Sequence, residues 1–407
     1  MRFIILVVLL LSFDLYVFQA FTTVAGEWST PWQQSLYALF WSIPALLLLG
    51  SIYLAIFGLK GVKLKTFTTI RAILMIAYLS KLLIIACLLT DDLRRMIMSL
   101  YESLLGDQDF TYGRSLFLSY LGLILGSIPF FTLTYGIIRN PYRYKIFREQ
   151  ITINNLPEAL DGLKIVQISD IHTGSFTRKE PVKGAIDLIN QQQADLVFFT
   201  GDLVNSVASE VDNFLDVFNQ IKSQYGVFSI LGNHDYGDYV RWESAEAKHQ
   251  NFEKLKDTHQ HLGWDLMMNE HRIVEVKGEK VAVIGVENYS AHPRFPKYGD
   301  LEKAHKGTEV AVLKLLLSHD PTHWDDEVTR KFEDIAVTFS GHTHGFQFGL
   351  EIPGWIQWSP VKYVYKQWAG LYQNGSQYLY VNRGLGFLGY PGRVGILPEI
   401  TVIELKK

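Results

Sequence analysis

The sequence predicts two structural classes in one chain, a region of all-α transmembrane helices followed by an α/β domain. Three observations carry that reading. Ser35–Leu59 and Ser115–Ile138 contain no charged residue and exceed the roughly 20 apolar residues a helix needs to cross the hydrocarbon core. From Ile151 onward, short β-rich apolar runs alternate with helix-like segments. Several of those runs end directly in Asp, Asn or His. Composition agrees, since charged residues make up 19% against a usual share of about 25%, and the deficit falls in the first third. A net charge of −3 gives no basic surface of the kind a nucleic-acid partner requires, so none is expected. The single cysteine, Cys87, rules out an intrachain disulfide and a cysteine-built metal site, and reads as a packing residue.

The membrane region is read as residues 1–138, with four helices at about 3–20, 35–59, 72–90 and 115–138. The first follows Arg2 and could be a signal peptide. No small-residue cleavage pattern follows it, which favours a retained helix. Asp14 and Lys81 interrupt the first and third spans. Charges are costly there, so they are expected to pair, line a polar pocket or snorkel, ahead of a ligand or proton-relay role. Lys60, Lys63, Lys65 and Arg71 follow the second span, and Arg139, Arg143, Lys145 and Arg148 follow the fourth. This asymmetry predicts cytoplasmic chain ends and a C-terminal domain facing the cytoplasm. Residues 139–150 are read as a basic juxtamembrane linker, and 151–407 as the α/β domain.

In that domain Leu163–Ile168, Leu196–Phe199, Val227–Leu231, Leu315–Leu317 and Ile335–Phe339 read as strands, and Pro181–Gln193 and Glu210–Gln224 as amphipathic helices. The first strand runs into Ser169-Asp170-Ile171-His172 and the second into Thr200-Gly201-Asp202. The third leads to Gly232-Asn233-His234-Asp235 and the fourth to Ser318-His319-Asp320. The fifth leads to Gly341-His342-Thr343-His344-Gly345. Ligands bind beyond the carboxyl ends of strands in open α/β sheets. Convergence of these ends would gather carboxylates, an amide and imidazoles into a metal site. Oxygen and nitrogen donors without thiolate suit Mn²⁺, Fe or Zn²⁺. The glycines permit tight turns and close approach.

The ordered set DIH, GDL, GNHD, SHD and GHTHG resembles the calcineurin-like metallophosphoesterase family over roughly Leu163 to the C-terminus. The resemblance implies a four-layer α/β sandwich, where strand alternation alone would also permit a doubly wound sheet. It implies two divalent metal ions, Mn²⁺ or an Fe/Mn pair with Zn²⁺ as a further choice. Asp170, His172 and His344 would hold one, Asn233, His319 and His342 the other, and Asp202 would bridge them. His234 would donate a proton or contact phosphate, with Asp235 orienting it through a hydrogen bond. The implied activity is hydrolysis of a phosphoester or pyrophosphate bond. The membrane-associated bacterial branch of the family adds a lipid-linked substrate such as UDP-2,3-diacylglucosamine, and placement in a bacterial inner membrane. A soluble nucleotide or phosphomonoester stays open, as does the oligomeric state.

Other readings are weaker. A membrane sensor or scaffold with a non-catalytic domain is the alternative, although no motif is degraded. A transporter lacks paired broken helices. Gly384–Gly389 matches GxGxxG, but Pro391 follows where the dinucleotide fingerprint needs a helix. Arg383 is expected either to contact phosphate or to be an exposed structural residue. His292 and Arg294 lie in a Pro-containing insertion that either reaches substrate or caps the domain. The aromatics between Phe346 and Tyr372 suit a membrane interface or a core beneath a long loop.

Overall fold

A computed structural model describes residues 2–57, 64–105, 113–352 and 354–407. The chain divides into two compact units, Met1–Tyr135 and Gly136–Lys407.

The first unit holds helices α1 (Arg2–Ala25), α2 (Thr30–Phe57), α3 (Leu64–Leu105) and α4 (Leu116–Ile138), the last running three residues into the second. Among the described residues, Ile5–Ala25, Thr68–Leu104 and Leu116–Tyr142 are long and apolar enough to cross a membrane. The expected 35–59 span ends at Leu59, which lies, like Lys60 and Lys63, outside the described residues. α3 continues well beyond the expected 72–90 span. Asp91 accepts from Arg94 Nε at 2.9 Å and Asp92 pairs with Arg95 at 3.3 Å, so these charges are i,i+3 partners along one helix. Asp14 and Lys81 take the pairing option. Lys81 Nζ bonds Asp14 Oδ1, Tyr78 OH donates to Oδ2 at 3.0 Å, and Asp14 is fully buried.

The second unit contains β1 (Lys145–Thr152), β2 (Lys164–Ile168), β3 (Leu196–Phe199), β4 (Val227–Ser229), β5 (Asp265–Leu266), β6 (Glu270–Val276) and β7 (Glu279–Gly285). It continues with β8 (Leu313–Leu317), β9 (Val337–Ser340), β10 (Leu350–Ile352), β11 (Ile356–Trp358), β12 (Gly370–Asn374), β13 (Gln377–Val381) and β14 (Glu399–Lys406). One six-stranded sheet has the order β1-β14-β2-β3-β4-β5, and the other β12-β13-β9-β8-β7-β6. β2 to β5 are parallel, as are β7, β8, β9 and β13.

Alternation along the strands builds the layers. Ile165, Leu196 and Phe198 face Val283, Leu315 and Phe339 in a core between the sheets, where the Phe198 and Phe339 rings stand 4.9 Å apart. Val166, Ile168, Val197 and Phe199 point the other way, onto Val182, Ile186 and Ile189 of α5 (Lys179–Asn190). On the far side, Ile284 and Leu316 pack beneath Leu301, Trp324 and Val328. The result is the four-layer α/β/β/α sandwich.

Two boundaries differ from the sequence reading. Lys145–Gln150, assigned to the linker, belongs with Ile151 and Thr152 to an edge strand paired in parallel with β14 over its whole length, from Lys145 opposite Glu399 to Thr152 opposite Lys406. Glu210–Gln224 is not one helix. Its carboxylate at Glu210 accepts from the Asn205 and Val207 N–H groups at 2.6 and 3.3 Å, tightening 208–214 into a 3₁₀ segment before the single turn of α6 (Leu215–Phe218). The polar helix α7 (Ala245–His261), capped by Ser244, accompanies β5.

Candidate metal centre

The predicted residues follow strand ends, and at five of them the backbone turns left-handed. Asp170, His172, Asp202, His342 and His344 have φ of 49°, 48°, 60°, 70° and 53°. Left-handed backbone costs a non-glycine residue about 1–2 kcal/mol, and such strain clusters where side chains must be aimed into a site. Two glycines make room for this. A Cβ on Gly232 would lie 2.2 Å from Asp202 Oδ1, and one on Gly341 would lie 2.0 Å from Ser169 Oγ and 2.2 Å from Asp170 Oδ2.

The side chains converge on Asp202. Its Oδ2 lies 3.5 Å from His172 Nε2 and 3.3 Å from His319 Nε2, so one carboxylate oxygen stands between two imidazoles drawn from different sheets. Around His172, the Nε2 atoms of His172 and His344 approach to 3.0 Å, and His344 Nε2 is 3.2 Å from Asp170 Oδ1. Asp170, His172 and His344 form one group of mutually close ligand atoms, and Asp170, Asp202 and His319 a second. His342 and Asn233 stand beside these groups. The His319 and His342 rings are 5.1 Å apart, and Asn233 Oδ1 is buried without a hydrogen-bond partner in the described structure.

Protonation suits a cation. Burial pushes His172 down to about 3 and His342 down to about 4, and holds His344 well below the usual histidine range, so all three are neutral at pH 7 with lone pairs to offer. His319 is the exception. Burial disfavours its charge, but the neighbouring Asp202 carboxylate outweighs that and holds it up at about 10. Its Nδ1–H donates to the Thr200 carbonyl at 2.6 Å, which turns Nε2 toward Asp202. Nε2 of His319 and Nδ1 of His172 and His344 have no hydrogen-bond partner among the described residues. Buried acceptors this close, with orphaned polar atoms around them, fit a divalent metal site.

The neighbours of this cluster correct one expectation. Asp235 does not orient His234. Its Oδ2 accepts from the N–H groups of Asp202 and Gly232 at 2.8 and 2.9 Å, and its Oδ1 from those of Leu203 and Val204 at 2.9 and 3.2 Å. With both oxygens engaged by backbone, it clamps the turn that presents Asp202. His234 Nδ1 instead donates to the carbonyl of Asn205 at 2.7 Å, and its N–H donates to Asp202 Oδ1 at 2.8 Å. Asn205 carries no motif, and a backbone acceptor leaves no trace in residue type.

Two tyrosines and one arginine, Arg393, also escaped the sequence reading of the site. Tyr239 OH accepts from Asn233 Nδ2 at 2.9 Å, which fixes the amide with Oδ1 opposite, and Tyr365 OH bonds His342 Nε2 at 2.7 Å. Arg393 is fully buried and donates to the carbonyls of Arg383, Gly384 and Gly386, while Gly386 N–H holds the Asp170 carbonyl at 2.9 Å. The GxGxxG stretch is thus a brace behind Asp170. Arg383 is neither exposed nor free for phosphate: it is buried, paired with Glu399 at 2.6 Å and Glu351 at 2.7 Å, and stacked on Phe147. Asp320 Oδ1 caps Thr322 while its Oδ2 stands 3.5 Å from His342 Nε2, and His323 is buried between Ser318 and Glu327 in a structural role. The aromatic segment divides, with Tyr365 and Trp368 in a small core and Trp355 and Tyr363 more than 70% exposed.

A cavity of about 640 Å³ opens over the cluster. Asp202, Asn233, His234, His342 and His344 line its floor, and Arg294 and Phe346 are among its walls.

Comparison with known proteins agrees with this geometry. Residues 163–346 match the family described as "Calcineurin-like phosphoesterase", and residues 1–141 match "Probable Calcineurin-like phosphoesterase, transmembrane domain". A zebrafish (Danio rerio) "Transmembrane protein with metallophosphoesterase domain" is 30% identical over 67% of this chain and 60% of its own length. The Bacillus subtilis "Uncharacterized metallophosphoesterase YkuE" is 29% identical over 67% of this chain and 90% of its own. The Escherichia coli "Phosphodiesterase YaeI" is 27% identical over 60% of this chain and 82% of its own. The matched part therefore spans less than two thirds of the zebrafish relative. The motifs, the sandwich and both matches place the chain among the calcineurin-like metallophosphoesterases, as a membrane protein with a four-helix-type phosphoesterase transmembrane domain ahead of its metallophosphoesterase domain.

Proposed function

We propose that this protein hydrolyses a phosphoester or pyrophosphate bond using two divalent metal ions. The observation that carries the reading is Asp202 Oδ2, set between His172 and His319 at 3.5 and 3.3 Å. One ion would be held by Asp170, His172 and His344, the other by Asn233, His319 and His342, with Asp202 shared. Bound divalent ions supply Lewis-acid polarisation of phosphoryl oxygens and activation of water at neutral pH. Mn²⁺ or an Fe/Mn pair suits the mixed oxygen and imidazole set, and Zn²⁺ is a further choice.

The chain's own residues supply the rest. The Asn205 carbonyl fixes the Nδ1–H tautomer of His234, so that Nε2 is the atom left to exchange a proton with the leaving oxygen. Asp235 keeps Asp202 in place through four backbone N–H groups. Tyr239 and Tyr365 hold Asn233 and His342 in the rotamers that face the cleft.

A phosphodiesterase among the relatives supports a diester-type substrate. Phe346 and Val364, both lining the cavity and more than 60% exposed, support a leaving group with an apolar part. A lipid-linked phosphate such as UDP-2,3-diacylglucosamine meets both conditions. The positive loops support a domain facing the cytoplasm of a bacterial inner membrane. The test is Mn²⁺-dependent hydrolysis of a chromogenic diester and monoester by the detergent-solubilised, metal-stripped chain, beside Asp202→Asn and His234→Ala. Metal-dependent turnover that collapses in both variants is expected. A chain that binds no metal, or that loads two ions and still turns over no phosphate ester of any class, refutes the reading and leaves the scaffold role.

A further inference from the structure

The turn Ala291–Tyr298 follows β7 and carries His292, Arg294 and Phe295 to the wall of the cavity above the metal ligands. Phe295 meets the His342 ring edge-on at 4.7 Å, and the His292 ring lies 5.1 Å from that of Tyr365, so the turn is anchored to the site. Arg294 is the one arginine or lysine among the described residues lining this cavity. Two other arginines of this unit are matched by carboxylates, Arg272 by Asp265 and Arg383 by Glu351 and Glu399. Among the described residues Arg294 has no carboxylate within ion-pair distance, and its guanidinium lies over the Phe295 ring at 5.8 Å. Its charge bears on both Tyr239 and Tyr365, the hydroxyls that hold Asn233 and His342.

We infer that Arg294, with His292 beside it, forms an anion subsite that reads a second phosphate joined through one bridging oxygen to the phosphate on the metal ligands. The preferred substrates are then diphosphates, with one phosphoryl group over Asp202 and the next against the guanidinium. Three facts converge on this. The guanidinium is unpaired, it shares a cavity with the metal ligands, and an arginine fork matches phosphate oxygens in pairs. Among the described residues the cavity lining holds no other arginine or lysine to neutralise a second charge. His292 adds a ring nitrogen on the same turn, and the apolar wall at Phe346 and Val364 receives what lies beyond the diphosphate. The inference rests on the phosphoesterase reading only for its placement of the first phosphate, and binding tests it separately from turnover.

The experiment compares AMP and ADP as ligands of the full-length, Mn²⁺-loaded protein in detergent by calorimetry, with bound manganese assayed in each sample. The two nucleotides differ by one phosphate and share everything else. ADP is expected to bind the wild type about tenfold to a hundredfold more tightly than AMP, the range of one charge-assisted pair. Arg294→Gln should bring that ratio close to one at unchanged manganese content, and Arg294→Lys should restore part of it. A wild-type ratio near one, or a ratio that survives Arg294→Gln, overturns the subsite. An equal loss for AMP and ADP overturns it too, since Arg294 would then hold the first phosphate. If the chain hydrolyses no ester yet shows the Arg294-dependent ratio, the phosphoesterase reading fails and the subsite stands.

Discussion

Replacing Asp235 with Asn separates two roles that the sequence alone confuses. The carboxylate is fully buried and accepts four backbone N–H bonds between 2.8 and 3.2 Å. An asparagine in the same place can offer its oxygen to one pair. Its amide then points two donors at the other pair, Asp202 and Gly232 or Leu203 and Val204. A hydrogen bond to a charged acceptor contributes about 1.5–3 kcal/mol, and a buried unpaired donor costs about 1–3 kcal/mol. Burial, followed by the Asp202 carboxylate, pushes Asp235 up to about 7, which offsets part of the loss. A net destabilisation of about 3 kcal/mol follows, or roughly 6–12 °C in melting temperature for a domain of this size. Manganese affinity should fall about 10- to 100-fold, the usual consequence of disturbing a ligand's support. Thermal unfolding of the stripped protein, followed by manganese titration, measures both. The clamp argument is refuted by a variant whose melting temperature and metal affinity match the wild type while turnover falls as in His234→Ala, because Asp235 would then act through His234.

Other perturbations follow from the same geometry. Because His319 is held up at about 10 by Asp202, the metal-free site carries a proton there at neutral pH, and a cation must displace it. Manganese affinity should therefore fall about tenfold per unit as pH drops from 9 toward 6, and more steeply below that, where Asp170, pushed up to about 6 by burial, also takes a proton; titrations at fixed ionic strength read the slope. His234→Ala should keep its manganese and lower kcat about 10²- to 10⁴-fold, checked by parallel metal assay and steady-state kinetics on a diester. Gly341→Ala places a methyl against Ser169 and Asp170 and should abolish tight metal binding, visible as loss of bound manganese after desalting. Lys81→Met strands the buried Asp14 and should destabilise by about 3–5 kcal/mol, with Asp14→Asn added to it recovering much of the loss in thermal unfolding.

The parts of this molecule that were legible in sequence are those where residue type and strand end coincide. Asp170, Asp202 and His319 follow runs that are buried throughout or at all but the first residue, so period and motif point to the same place. What could not be read depends on long-range pairing or on backbone acceptors. β1 looks like basic linker because its partner, β14, lies some 250 residues away and imposes the strand. α7 has little apolar periodicity, since among its residues Leu255, Thr258 and His259 are the buried ones. Tyr239 and Tyr365 lie in loops whose aromatics carry no spacing rule, and Arg393 sits in a glycine-rich stretch where burial of a guanidinium has no local signal.

The placement of the ligands has a consequence for stability as well as chemistry. Asp170, His172, Asp202 and Asn233 follow strands of one sheet, whereas His319, His342 and His344 follow strands of the other. Each proposed ligand set therefore draws on both sheets, and metal binding would tie them together at one edge. The protein already bridges that edge with neutral groups, since Gln167 Nε2 donates to Thr200 Oγ1 at 3.1 Å and, across the sheets, to the Ser340 carbonyl at 2.9 Å. These contacts join the sheets through groups other than the proposed ligands, while the left-handed backbones and orphaned nitrogens of those ligands gather polar strain at the same edge. A cation present at a thousand times its Kd would add about 4 kcal/mol to the folded state. That gain should be lost in full when a shared ligand such as Asp202 is replaced by Ala, and only in part when a ligand of a single set, such as His342, is replaced. Melting temperatures of the two variants with and without manganese decide it: equal losses would mean that the two ligand sets bind as one, with no site able to fill alone.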